Sequence, residues 1–364
     1  SDQKELYRAP FQFFDLGPLG PPVESVNDGL SHTRSQAIYA QASYEVAPRL
    51  KLTGGIRYTW EQVTFTRGPL ATQLGAARED ASFSDPSWTV GLDYQVTDEL
   101  LLYVVQRGSF RAGGFNNTGP LRNATAEFGG NLFLSERVRD VEVGAKFSGR
   151  LGAVPVRANL AIYNADISNI QRALFTFIPA AISIEGQDTL ATVTVNIPKA
   201  RVRGFEFDGS IEPVSGLRIG GNLAYTDARY TNGATQSFGA NFNYGPYADT
   251  PKWAGGAFVA ITLPTNESVG KITLRGDLYA QSGQYFSNLA DTVAPGTLLP
   301  GYTLLGASVN WERVLGSPVD VSAFVKNASQ TNYFTGGFGF PPLGINSAIP
   351  GEPRMYGMSL KVNF

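Results

Sequence analysis

The sequence predicts an all-β protein, an antiparallel transmembrane β-barrel with about 13–14 strands in this chain. Three observations carry that prediction. Many segments alternate apolar and polar residues over 10 or more positions. Short turns take strict turns with long connections. The C-terminal run from Met355 places Tyr356, Met358, Leu360, Val362 and Phe364 on one face and Met355, Gly357, Ser359, Lys361 and Asn363 on the other, and the chain stops on the aromatic residue. Successive strand side chains point to opposite faces. An apolar face turned to lipid, with the strand edge paired to close a barrel, accounts for such an ending; a soluble sheet would leave a hydrophobic edge open.

Composition agrees. The chain has 364 residues, 43% hydrophobic, yet contains no run of about 18 apolar residues and therefore no membrane-spanning helix. Charged residues are 16%, below the roughly 25% of an ordinary globular chain. The 41 glycines and 12% aromatics suit a turn-rich β protein. A net charge of −2 gives no reason to expect a nucleic-acid partner. The absence of cysteine excludes disulfides and thiolate metal sites, and a single histidine, His32, leaves no basis for an imidazole cluster. No cofactor is predicted.

Taken in order, residues 1–31 are rich in proline, glycine and aromatics with little period, and predict a long loop. Residues 32–364 predict barrel wall. The first strand covers about 34–46, with Ile38, Ala40, Ala42, Tyr44 and Val46 on one face. After an A-P-R turn, Leu50, Leu52, Gly54, Ile56, Tyr58 and Trp60 oppose Lys51, Thr53, Gly55, Arg57, Thr59 and Glu61. Trp88, Val90, Leu92, Tyr94 and Val96 alternate with Thr89, Gly91, Asp93 and Gln95. A strand from about 100 follows, then strands at about 136–148, 154–175, 191–212, 217–230, 250–263, 270–286, 301–312, 318–328 and 353–364. Many exceed the usual strand length of about 5–6 residues and match the 9–11 needed to cross a bilayer.

The connections sort the same way. A-P-R, T-D-E, G-R-L-G-A, E-P-V-S-G, L-P-T-N-E-S and L-G-S-P are short. They alternate with long stretches near 67–83, 112–134, 178–190, 231–249, 287–300 and 331–351. Outer-membrane barrels show this asymmetry, with short periplasmic turns and long extracellular loops. Tyr44, Tyr58, Trp60, Trp88, Tyr94, Tyr103, Tyr225, Trp253, Trp311 and Tyr356 lie near strand ends, where aromatic girdles form. With the last strand running inward, the first does too, which places residues 1–31 in an extracellular segment. An odd count of about thirteen, and a start at Ser1 with neither methionine nor signal peptide, predict that an N-terminal part precedes this chain.

Several stretches resemble the C-terminal part of the barrel of TonB-dependent outer-membrane receptors. They are Q-R-G-S-F-R-A-G-G-F-N (106–116), S-E-R-V-R-D-V-E-V-G-A-K (135–146) and L-A-I-Y-N-A-D-I-S-N-I-Q (160–171). N-I-P-K-A-R-V-R-G-F-E-F-D (196–208), Y-A-D-T-P-K-W (247–253), V-K-N-A-S-Q-T-N-Y (325–333) and the terminal P-G-E-P-R-M-Y…F follow in the family's order. Ser135, Ala328 and Ser329 depart from its usual residues. The resemblance implies a 22-stranded barrel with an N-terminal plug, importing a scarce nutrient such as an iron-siderophore chelate. It also implies the TonB complex, outer-membrane lipid and lipopolysaccharide, and the barrel-assembly machinery as partners. The plug, the TonB box and about nine strands are not in the sequence. A passive, plug-free outer-membrane channel is the alternative.

Arg57, Glu61, Asp93, Glu142, Lys146, Arg157, Glu206, Asp208, Arg218, Arg275, Asp277 and Lys361 are expected to face the lumen, where polar residues are the default lining. Ligand candidates fall in the long connections: Phe110, Arg111, Phe115 and Asn116; Phe242, Tyr244 and Tyr247; Tyr285 and Phe286; Tyr333, Phe334, Phe338 and Phe340. Aromatics with an occasional arginine suit a bulky, partly apolar chelate. Loop packing uses the same residue types, so Phe110–Asn116 also read as architecture. Tyr356 and Phe364 are assigned to barrel assembly. An enzyme is not predicted, because no nucleophile motif surrounds His32, Ser31 or Ser35.

Overall fold

A computed structural model describes residues 2–13, 23–67, 78–116, 131–178, 189–237, 240–287, 296–340 and 345–363. Fourteen strands form one antiparallel sheet in simple chain order. They are β1 (Asp2–Phe13), β2 (Val23–Ala47), β3 (Leu50–Arg67), β4 (Arg78–Gln95) and β5 (Leu100–Arg111). Next come β6 (Glu136–Leu151), β7 (Val154–Ile178), β8 (Thr189–Val214), β9 (Leu217–Asn232) and β10 (Trp253–Thr262). The wall ends with β11 (Lys271–Gln281), β12 (Tyr302–Glu312), β13 (Val319–Lys326) and β14 (Met355–Val362). Among the described residues the sheet is open, with β1 and β14 at its two edges.

The proline-rich start is not a featureless loop. β1 pairs with β2 from Asp2↔Arg34 to Phe13↔Val23. Main-chain pairing needs no side-chain period, and an edge strand tolerates Pro10, whose missing N–H can face away from its partner. Among the described residues the main sheet thus has fourteen strands, one more than the thirteen read along the sequence. The connection predicted near 67–83 is shorter too, since β4 already begins at Arg78. Other long connections contain short hairpins, pairing 114–115 with 132–133, 234–237 with 240–243, 284–285 with 298–299 and 334–340 with 345–350.

Register fixes the two faces. Lys51↔Asp93, Asp93↔Tyr103, Tyr103↔Gly144, Glu142↔Tyr163, Tyr163↔Gly204 and Glu206↔Ala224 run along one face. Ala224↔Ala254, Phe258↔Asp277, Asp277↔Gly306, Ser308↔Phe324 and Asp320↔Lys361 continue it. All twelve charges expected to share the polar face fall on it. The opposite face carries exposed Ile56, Val90, Leu102, Val104, Val143, Ile162, Leu223, Val259, Leu278, Leu305, Met358 and Leu360. Tyr103 departs from the girdle expectation, because it sits on the polar face and its hydroxyl donates to Glu142 at 2.7 Å.

A one-layer wall has little core of its own. The main buried cluster lies at the long-connection end, where β7 and β8 extend as a hairpin: Ile170, Leu174, Val193, Val195, Ile197 and Ala200 pack with Tyr244. Asn169 adopts a left-handed conformation (φ 53°), which asparagine accepts readily, and on its C-terminal side both Ile170 and Gln171 are buried.

Candidate functional site

The motif residues of separate stretches meet at this end. Asn116 is 7% exposed and its amide pairs with Thr194: the Thr194 N–H donates to Oδ1 at 2.6 Å and Nδ2 donates to the Thr194 carbonyl at 2.9 Å. Gln171 Nε2 donates to the carbonyls of Ala112 and Leu134, while its own N–H donates to Glu136. Asn196 receives the Leu134 N–H at 2.6 Å and donates to the carbonyls of Leu134 and Asn169. A Cβ on Gly113 would run into the Phe133 carbonyl and lie 2.6 Å from the Phe83 ring, which is why glycine stands there. Phe115 stacks on buried Phe65 with centroids 6.3 Å apart, and Asn131 donates to buried Glu79. Residues 112–116 and 131–135 are therefore strapped across the ends of β3–β4 and β7–β8.

A second polar knot holds the last connection. Asn327 is 6% exposed, accepts the Thr331 N–H, and donates to the carbonyls of Thr331 and Glu352. Tyr333 packs against Tyr302 with tilted rings and centroids 4.5 Å apart, and Tyr302 lies 6.0 Å from Tyr279 on the polar face. Below them a cavity of about 700 Å³ opens along that face, lined by Arg157, Arg218, Arg275, Asp208, Asp277 and Tyr279 among others. Arg275 lies over the Phe258 ring at 4.1 Å and pairs with Asp277 at 2.7 Å.

The grouping best suited to a ligand surrounds Arg172. Its guanidinium stacks on Tyr247 at 4.8 Å and its Nε donates to the Tyr230 hydroxyl at 3.0 Å. Tyr230 contacts Tyr244 and Tyr247 at 5.5 and 5.2 Å. Tyr244 is 3% exposed, and its hydroxyl has no hydrogen-bond partner among the described residues. Burial pushes the Tyr244 and Tyr247 phenols up, so both stay neutral at physiological pH. A cation framed by neutral aromatic rings can receive an anionic, partly aromatic group.

Of the sequence candidates, the structure brings Tyr244 and Tyr247 together and supplies Arg172 and Tyr230, which no sequence pattern singles out. Phe110 is half-buried in β5, and exposed Arg111 pairs with Glu136 at 3.2 Å. Phe115 and Asn116 are consumed in the strap. Phe286 is 8% exposed with its ring against Gly337, while the Tyr285 carbonyl accepts the Asp249 N–H. Phe334 and Phe338 are exposed at 40% and 50%. The side chain of Phe242, and Phe364 altogether, lie outside the described residues; Tyr356 is 80% exposed on the apolar face. Among the described residues no three His, Cys, Asp or Glu side chains gather as a metal site.

A sequence profile of the family described as TonB dependent receptor-like, beta-barrel matches residues 3–328. The fold is similar to the ferric yersiniabactin uptake receptor FyuA from Yersinia pestis (TM-score 0.69, 17% identity, 92% of this chain and 46% of that one). It is also similar to the siderophore receptor PiuA from Acinetobacter baumannii (0.67, 18%, 93% and 44%) and to the copper transporter OprC (0.68, 16%, 100% and 53%). The chain spans about half the length of these solved structures. With a family profile covering most of its length and the same wall of strands, the chain belongs to the TonB-dependent receptor β-barrel family.

Proposed function

We propose that this chain, residues 32–364 above all, is the C-terminal part of the barrel of an outer-membrane receptor. It imports a scarce nutrient, an iron-siderophore type of chelate, by active transport coupled to TonB. The segment 1–31 and the long connections then lie on the extracellular side, and contact with TonB belongs to a part of the protein outside this chain. The observation that carries the ligand class is Arg172 held between Tyr230 and Tyr247 at the long-connection end of the wall. A guanidinium on aromatic faces suits an anionic, ring-bearing chelate. Family membership supports receptor-mediated import, and the names of two matched proteins, a ferric yersiniabactin uptake receptor and a siderophore receptor, support iron.

Uptake of a panel of labelled ferric chelates by iron-limited cells carrying the full-length protein tests this reading. Saturable, TonB-dependent uptake of one chelate is the expected result. A large steady conductance from the full-length protein in planar bilayers, with no energised uptake, would overturn it in favour of a passive channel.

A further inference from the structure

The cavity along the polar face extends from Tyr333 and Lys326, at the long-connection end, to Arg218 and Arg157 at the short-turn end. Arg218 is the second residue of β9 and Arg157 the fourth of β7, and both strands begin at short connections. Between these ends β11 presents Tyr279, Asp277 and Arg275 in turn. Phe258, opposite Asp277, is approached by two guanidinium groups, Arg275 at 4.1 Å and Arg218 at 5.9 Å. A Cβ on Gly220 would lie 2.7 Å from that ring, and one on Gly357 2.8 Å from the Phe324 ring. Two cross-strand glycines thus let both rings lie along the wall instead of standing into the space.

Other cations on this stretch are matched. Arg275 pairs with Asp277 at 2.7 Å and Lys326 with Glu352 at 4.0 Å. Arg157 and Arg218 make no ion pair among the described residues. They bracket Ser210: Arg157 stands opposite it in the register, and Arg218 Nη2 donates to its hydroxyl at 3.4 Å. A second cavity, of about 240 Å³, is lined by both arginines. The carboxylates of the same strand are otherwise engaged. Asp208 accepts the Asn159 amide at both oxygens, and Glu212 accepts the Gly216 N–H. Two forked cations therefore converge, without an ion-pair partner, at the short-turn end of a smooth wall.

We infer that Arg157 and Arg218 form a second anion site, which receives the chelate on its way through the barrel after it leaves Arg172. The space has the size of a small-molecule site. Its chemistry repeats that of the Arg172 cluster, guanidinium groups beside aromatic faces. Passage needs a site strong enough to enter and weak enough to leave. Arginines on a wet wall meet that condition, because water weakens their attraction for an anion. The inference rests on the proposed import of an anionic chelate and adds residues that act after binding.

The test uses the full-length protein in iron-limited cells. The probes are radiolabelled ferric citrate and a ferric tris-catecholate, both anions, and an uncharged ferric trihydroxamate. Surface binding is measured in cells lacking TonB, and the maximal uptake rate in cells that have it. Arg157→Gln/Arg218→Gln protein, shown to be folded by heat-modifiable migration on gels, should bind the imported anion with unchanged affinity. Its maximal uptake rate should fall about tenfold, the pattern of an interaction made only after binding. Arg157→Lys/Arg218→Lys should restore most of the rate. An unchanged rate in the Gln variant would overturn the inference, as would failure of both variants to fold, since the cations would then serve the wall. A lower rate accompanied by a new steady conductance in planar bilayers would also overturn it, because the arginines would then anchor another part of the protein. Absence of energised uptake of any probe by the unsubstituted protein would instead sink the import reading itself, and is seen without a variant.

Discussion

The Asn116 side chain meets both backbone polar groups of Thr194, 78 residues further along the chain, as a strand neighbour would. Around that contact, Gln171, Asn196 and Glu136 tie the same connection to the β7–β8 hairpin. The segment Phe110–Asn116 is therefore tied to the β7–β8 hairpin, beside Arg172 through its neighbour Gln171.

Asn116→Ala should leave the Thr194 N–H and carbonyl without partners at a partly buried site. Each unmet group costs about 1–3 kcal/mol. The expected outcome is faster hydrogen exchange at residues 192–196 and 112–116, with the wall itself unchanged. Exchange equal to that of the unsubstituted protein would show that the amide does not hold the strap.

Much of the wall is legible in the amino-acid sequence, because a strand writes its two faces there with a period of two. Arg57, Glu206 and Lys361 are far apart in the chain, yet alternation alone sorts them onto one face. Residues 2–13 escape for the opposite reason: main-chain pairing holds them and their side chains keep no period. Arg172 is hidden differently. Its neighbours Tyr230 and Tyr247 come from another strand and another connection, and long-range docking leaves no local signature.

The ligand reading makes Arg172 its most exposed point. Arg172→Gln removes the charge while retaining a donor, and affinity for the transported chelate should fall about tenfold, roughly 1.4 kcal/mol, as expected for a partly desolvated cation on aromatic faces. Titration of the full-length protein with the chelate found by uptake would check this. Unchanged affinity would move the ligand away from the Tyr230–Tyr247 pair.

Tyr244 gives a prediction with a defined sign. Its hydroxyl is buried without a partner, so Tyr244→Phe should leave the loop cluster as stable or stabilise it by up to about 1–3 kcal/mol. Burial raises the folded pKa above the unfolded value of about 10. The neutral phenol's contribution is therefore fully present below pH ~10 and is lost as pH rises through the folded pKa. Exchange protection at residues 170–174 and 193–200 should weaken in alkaline solution, and less so in the Phe variant.

Tyr163 lies across Gly204 on the polar face, its hydroxyl 3.2 Å from Thr226. A Cβ at Gly204 would run into the Tyr225 carbonyl and come within 2.9 Å of the Tyr163 hydroxyl. Since the obstacle is backbone, Gly204→Val should prevent β7–β9 from keeping their register, costing more than the 1–3 kcal/mol typical of overpacking. Heat-modifiable migration should show little folded protein. Normal yield would mean that the wall yields locally at this position.

The closing strand allows a sharper comparison, because neighbouring residues face opposite environments. Leu360 is 68% exposed on the apolar face, opposite Val321, whereas Ser359 faces the other way and its hydroxyl meets Ser322 at 2.6 Å. A lysine on the lipid face near the middle of the bilayer costs about 2–4 kcal/mol, while a lysine on a wet inner wall costs little. Leu360→Lys should sharply reduce the folded barrel recovered from outer membranes, and Ser359→Lys should be tolerated. The pair controls for the lysine itself, for position along the strand and for expression. Equal loss in both would mean that the strand is sensitive to any charge, and equal tolerance would mean that the apolar face of β14 does not meet lipid.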